Sequence, residues 1–234
     1  NGVDSVRPSS ILFEIIIRKL FSGRYILWYI DIRENILNGK TIMKIFRRLK
    51  IKWQVFRGKA IDIWSKDPYP SNVLSNLCSN GFKFDGMLCG SMEGFLQSLK
   101  HKDINKQRQI CSMKGKNAKK MTTNAWQCDQ IVWWKGNAID RQSEDFVKLV
   151  RAAYQCMFEQ SERFRMALME TRGITLYHSR GESNPYKTIL TEQEFCGVLA
   201  EIRDSYDMRE KIIPKLRICE FEDMSHENFD TDKQ

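Results

Sequence analysis

The chain has 234 residues, 42% hydrophobic, 29% charged and 11% aromatic, enough for one well-packed domain with appendages or for two small ones. No stretch reaches the ~18–20 apolar residues of a spanning helix. The best candidate, Ile11 to Ile32, is broken by Glu14, Arg18, Lys19, Arg24 and Asp31, and no secretory signal is legible.

The net charge of +9 sits in residues 1–66, which hold 14 Lys and Arg against 5 Asp and Glu; residues 67–234 hold 24 of each. The first residue is Asn1, and Met43 opens MKIFRRLKIKW as an alternative natural start, so residues 1–42 need not be native. Within them, 25–32 (YILWYIDI) is rich in β-formers and reads as a strand. Arg47, Arg48, Lys50, Lys52 and Arg57 then surround Trp53 and Phe56. Two readings stand for this stretch: a solvated amphipathic lead-in, or an arm that binds phosphates.

Pro68 and Pro70 with Ser71 and Asn72 mark a boundary by their turn chemistry. The expected organisation is a basic extension over 1–67, a main domain over 68–205 and a C-terminal extension over 206–234. Gly81 to Gly86 (GFKFDG) predicts a short hairpin or edge strand. Ser91 to about His101 predicts a helix, with Met92, Phe95, Leu96 and Leu99 at helical spacing. A second helix is expected over Ile104 to Met113 and a third after Gly115. Ser143 is an N-cap with Glu144 and Asp145 in the first turn, ahead of a stripe through Phe146, Leu149, Val150, Ala153 and Met157. A helix over Ser161 to Thr171 ends at Gly173, and Ile174 to Tyr177 reads as a strand. Thr191 and Glu194 form a capping box for the last sizeable helix. The tail from Glu220 is acidic and poor in apolar residues, the composition of a disordered segment. The class is α+β with helix predominating.

Seven cysteines, at 78, 89, 111, 128, 156, 196 and 219, form no CxxC pair and no cluster with zinc-ligand spacing. Scattered cysteines suit a reducing compartment, so a cytoplasmic location is expected, with no metal or cofactor motif.

At ~100° per residue, Glu93, Gln97 and Lys100 form a polar stripe beside the apolar one on the first main-domain helix. A carboxylate, an amide and an amine at the edge of a core can line a cleft, or simply make a solvated i, i+4 network. Trp133 and Trp134 beside Lys135 offer a base-stacking surface or core aromatics. His178, before Ser179 and Arg180, is a phosphate contact or a satisfied structural histidine. Thr188 suits a hydroxyl contact, whereas Thr191 is explained as a cap. Asp140 is a ribose- or water-orienting carboxylate, or a loop residue ahead of the Ser143 cap.

Six pieces in one order resemble the NADAR (YbiA-like) superfamily over about residues 68–205. They are Ser75-Asn76-Leu77, GFKFDG at 81–86 and the S-x-E-x-x-x-Q-x-x-K run at 91–100; Ile110 with Ala118-Lys119; DRQSEDFVKLVRAAY at 140–154; and Met157-Phe158-x-Gln160 with Phe164, Leu168 and Thr171. Two features depart from the pattern. The family's E-H pair is Glu93-Gly94 here, and its closing D-x-x-W-G segment gives way to Asn184 to Glu192.

The resemblance implies hydrolysis of N-glycosides. One branch of the family takes phosphorylated pyrimidine intermediates of riboflavin synthesis, and another takes ADP-ribosyl groups on guanine. Breaking a ribosyl–nitrogen bond builds positive charge at C1′, so a carboxylate near that carbon and a proton source for the departing nitrogen are the minimum. On this reading Glu93, Lys100 and Asp140 are the catalytic candidates. Lys100 either stabilises phosphate or ring oxygens or attacks C1′ of an opened sugar as an amine. Asn76, Gln97, Trp133, Trp134, Arg141, His178 and Thr188 are the substrate-contact candidates. The expected activity is metal-independent removal of ADP-ribose from guanine in nucleic acid. The alternatives are an N-glycosidase on free phosphoribosyl metabolites and a non-catalytic ADP-ribose binder. The expected partner is an ADP-ribose-type ligand or ADP-ribosylated nucleic acid, with no membrane.

Overall fold

The computed structural model describes the backbone of residues 39–206 and the side chains of 43–206, so the expected strand at 25–32 and the acidic tail lie outside the described residues. The chain divides into two compact units, 1–45 and 46–234, and the sites discussed below lie wholly within the second. The class is α+β, as expected, and among the described residues no helix is long and apolar enough to cross a membrane.

Helix α1 (Gly39–Phe56) leads into β1 (Ala60–Asp62) through a turn at Gly58, whose φ is +65°. A short α2 (Ser71–Leu74) precedes the first hairpin, β2 (Phe82–Phe84) and β3 (Met87–Cys89). Its turn residues Asp85 and Gly86 have φ of 46° and 79°, the left-handed pair that a two-residue turn needs to match strand twist. Alternation does the rest: Phe82, Phe84, Met87 and Cys89 face the core, while Lys83 and Leu88 face out. The free edge of β2 is occupied by the Gln160 side chain, which accepts from Lys83 N and donates to Lys83 O, each at 2.8 Å.

Helix α3 (Met92–Ser98) starts at Ser91, whose hydroxyl accepts from Gly94 N at 3.0 Å. Its apolar face is completely buried, and burying Phe95 alone contributes roughly 2–3 kcal/mol. It packs on α5 (Gly115–Lys120) and on α4 (Ile104–Cys111), against the end of α4 at distances only glycine allows. A Cβ on Gly90 would lie 2.4 Å from Ser112 O, and one on Gly94 would lie 2.6 Å from Cys111 O. Buried Gln107 of α4 donates to His101 O and Trp133 O and accepts from Lys135 N, tying α4 to the next hairpin.

After α6 (Trp126–Asp129), β4 (Ile131–Trp134) and β5 (Asn137–Asp140) form a second hairpin over Lys135 and Gly136, with φ of 51° and 86°. Helices α7 (Glu144–Gln160) and α8 (Glu162–Met169) follow, capped by Ser143 and Ser161. Strand β6 (Thr175–Tyr177) then pairs in parallel with β1, in the register Ala60↔Thr175 to Asp62↔Tyr177. A last helix, α9, covers 192–206 in the described residues. It begins with the expected capping box: Glu194 N donates to Thr191 Oγ1, and Thr191 N donates to Glu194 Oε2. From α9 the buried Arg203 reaches back to Thr171 O and Ile174 O, satisfying carbonyls beyond the end of α8.

The expected boundary at 67/68 falls inside this second unit. β1 belongs to a sheet with β6, and Ile51 and Ile63 are both buried, 2% and 1% exposed.

Candidate functional site

Helix α3 carries the centre of the site. Gln97, 5% exposed, donates from Nε2 to Glu93 Oε1 at 2.9 Å, and its own Oε1 has no partner. Glu93 N donates to Asn76 O at 2.9 Å, so the 75–77 turn docks on the first turn of the helix. The Asn76 side chain is fixed in turn, because Tyr154 of α7, fully buried, donates its hydroxyl to Asn76 Oδ1 at 2.6 Å. With Oδ1 accepting, the Asn76 amide nitrogen is left as a donor. Lys100, one turn past Gln97, donates to Thr122 Oγ1 at 3.0 Å and lies 5.9 Å from the Trp126 ring centre. The indole nitrogen of Trp126 is buried and unpartnered.

The electrostatics bind these groups into one set. Burial depresses Lys100 from its ordinary value of 10.5 to about 8; the Glu93 carboxylate pulls it up and Lys119 pushes it further down. Burial also holds the Tyr154 phenol well above 10.0, with the Asn76 bond working downward and Glu93 upward. The Glu93 carboxylate therefore acts on both the amine and the phenol. A half-buried carboxylate, an amine lowered to about 8 and a fixed amide donor can together stabilise a cationic carbon and move a proton.

The structure thus brings Asn76, Glu93, Gln97 and Lys100 together. It joins no other candidate to them by a recorded contact. Asp140 stands exposed at the end of β5, where Oδ1 accepts from Gln142 N at 2.8 Å and its carbonyl accepts from the Ser143 hydroxyl. Trp134 is a correction to the stacking expectation. It is 5% exposed, its ring packs 5.5 Å from Phe84 and 5.2 Å from Phe95, and its indole donates to Asp85. Strand alternation explains this, because it turns Trp134 inward and leaves Trp133 half-buried with Lys102 4.8 Å from its ring centre.

Arg141 is also corrected from a substrate contact to a structural one. It is 1% exposed, pairs with Glu194 at 2.7 Å and lies 4.3 Å from the Phe146 ring centre. The Glu194 carboxyl, raised by burial but lowered further by Arg141 and Thr191, ends below its usual range. His178 is held by structure: Nδ1 lies 2.7 Å from Ile63 O, so it carries the proton there, and the ring meets Phe195 edge-on. The Thr188 hydroxyl donates to Leu190 O.

Sequence reasoning missed Tyr154, Thr122 and Trp126. Tyr154 lies four residues after Val150 in an apolar helix stripe, and a phenol in such a stripe is the one available signal. Thr122 and Trp126 follow short irregular segments with no periodicity to place them. Gly94, where the resemblance has histidine, has its reason in the close α3–α4 contact. Among the described residues no three His, Cys, Asp or Glu side chains gather as a metal site.

A profile of the family described as bacteriophage protein GP30.3 matches residues 68–204. An uncharacterized 17.1 kDa protein in the Gp30-rIII intergenic region of enterobacteria phage T4 is 34% identical over 148 residues, 62% of this chain and 97% of that protein. Among solved structures, the NMR structure of the E. coli protein YbiA is similar at 16% identity and a TM-score of 0.46, covering 65% of this chain and 87% of that one.

Proposed function

Since the chain belongs to the family of bacteriophage protein GP30.3, a NADAR-type family, we propose that it hydrolyses an N-glycosidic bond, removing ADP-ribose from ADP-ribosylated guanine in nucleic acid. The observation that carries this reading is the Glu93 carboxylate on α3 and, just past the end of that helix, a Lys100 amine whose proton leaves at about 8, with Gln97 bonded to both residues and Asn76 bonded to Glu93.

The C1′–N bond breaks with its electron pair going to the base nitrogen, which takes a proton from the Lys100 ammonium. Glu93 stabilises the positive charge at C1′ and accepts a proton from the water whose oxygen bonds to that carbon. Return of that proton from Glu93 to Lys100 through solvent restores both groups. The Asn76 amide nitrogen supplies a donor to a ribose or base oxygen, and Tyr154 keeps it facing the right way.

The test is incubation of the whole chain and its Glu93→Gln variant with an ADP-ribosylated guanine oligonucleotide, following ADP-ribose release by mass spectrometry. Glu93→Gln should lower the rate by roughly 10²–10⁴. Binding of ADP-ribose without release by the unaltered chain would make the protein a reader. Release from free phosphoribosyl metabolites alone would move the substrate to the soluble pool.

A further inference from the structure

Residues 46–66 hold seven Lys and Arg against one acid, Asp62. Asp62 is spent inside the fold, accepting from the backbone and hydroxyl of Ser179. One face of α1 is held to the body: Arg47 pairs with Glu192 at 2.6 Å, Gln54 accepts from the Tyr177 hydroxyl at 2.9 Å, and Ile51 between them is buried. At ~100° per residue those three lie within about 60° of one another. Arg48 and Lys52 then fall on one flank of that face and Lys50 and Arg57 on the other, all exposed and without ion-pair partners among the described residues.

Aromatic rings stand among these cations. Trp53 is 50% exposed with the Arg57 guanidinium 5.2 Å from its ring centre, and Phe56 is 87% exposed. A second pair continues the pattern off the helix. The Arg180 guanidinium lies 3.5 Å from the Trp64 ring centre, with Lys66 5.6 Å away. Trp64 and Arg180 follow the ends of β1 and β6, and Arg47 reaches that same end, because its partner Glu192 also accepts from His178 N. Phe195, at the start of α9, links this end to the site: it meets His178 on one side and Tyr154 on the other. All of α1, β1 and Trp64 precede the family-matched segment at 68–204.

We propose that this surface is a track for single-stranded nucleic acid, with Arg48, Lys50, Lys52 and Arg57 contacting phosphates from the two flanks of the helix and the Trp53–Arg57 and Trp64–Arg180 pairs under bases. The inference rests on the proposed function and specifies its substrate: a guanine presented in an unpaired strand rather than in a duplex or as a free nucleoside. Phosphates need cations at intervals, and unpaired bases need flat faces, which indole and guanidinium both supply. A bilayer surface would draw on the helix alone and leave the Trp64–Arg180 pair, on a different element, without a use.

The test is fluorescence anisotropy of a labelled single-stranded oligonucleotide, its duplex form, and vesicles of phosphatidylglycerol, each with the full chain over a salt series. The unaltered chain should bind the single strand more tightly than the duplex or the vesicles, with a salt slope of about −0.7 per phosphate contacted. The double variant Arg48→Glu/Lys52→Glu should lose at least about tenfold in affinity and flatten the slope by about 1.4. Trp53→Ala should weaken binding with the slope unchanged. Preference for duplex or vesicles, no binding at low salt, or unaltered binding by the double variant each overturns the track. Release of ADP-ribose from an ADP-ribosylated guanosine nucleoside, which touches none of these cations, is measured alongside. No strand binding by the unaltered chain with that release intact counts against the track alone, and strand binding with no release from any substrate counts against the hydrolase.

Discussion

At the scale of single residues, Lys100 makes the sharpest demand. In the proposed reaction its ammonium form is the proton donor, and burial makes that form give up its proton at about 8. kcat/KM should therefore hold below that pH and fall about tenfold per pH unit above it. Lys100→Met should abolish the limb along with most of the activity, as a pH–rate profile would show. The same burial has a cost in stability. Between about 8 and 10.5 the unfolded chain binds more protons at this position than the folded one, so stability rises with pH across that window. Lys100→Met removes a buried charge and gives up one hydrogen bond to Thr122. At pH 7 its Tm should rise by a few degrees in a thermal melt while catalysis is lost. Of the residues that make this site, Glu93, Gln97 and Lys100 are legible in the sequence because a 3.6-residue period puts them on one face. Tyr154 is not, because its partner Asn76 lies 78 residues away and only the folded chain brings the two together.

Elements were legible wherever one local rule sufficed. GFKFDG is a hairpin because Asp85 and Gly86 accept the left-handed turn, and α7 and α9 start at their expected caps. The second hairpin follows the same rule, with Lys135 and Gly136 in the turn, yet its two tryptophans drew attention to stacking and away from strand geometry. β1 has only three residues, and its pairing with β6 depends on contacts more than a hundred residues apart, which periodicity does not register. The α3–α4 contact gives the test at this scale. Gly94→Ala places a Cβ 2.6 Å from Cys111 O and 3.1 Å from both Ile110 O and Met113 O. Those atoms are backbone and cannot swing aside, so overpacking should cost about 1–3 kcal/mol. Chemical denaturation would read this as a lower midpoint, and the displacement of α3 should also lower activity.

For the whole molecule, the matched segment begins at residue 68, but the packed body does not. Asp62 and Ile63 anchor Ser179 and His178, and β1 supplies the partner of β6. A chain shortened to begin at Pro68 should leave the β6 edge unpaired, uncover the surface over Ile63 and melt several degrees lower by calorimetry, with release of ADP-ribose reduced accordingly. The turn chemistry at Pro68 and Pro70 coincides with the start of the matched segment, while β1, ahead of it, pairs with β6 inside the same unit. With α4 seated against the bare backbone at Gly94, a histidine there would meet main-chain oxygen before it met any ligand. The fit between the two helices thus bars an imidazole at this position: admitting one needs α3 and α4 to part first.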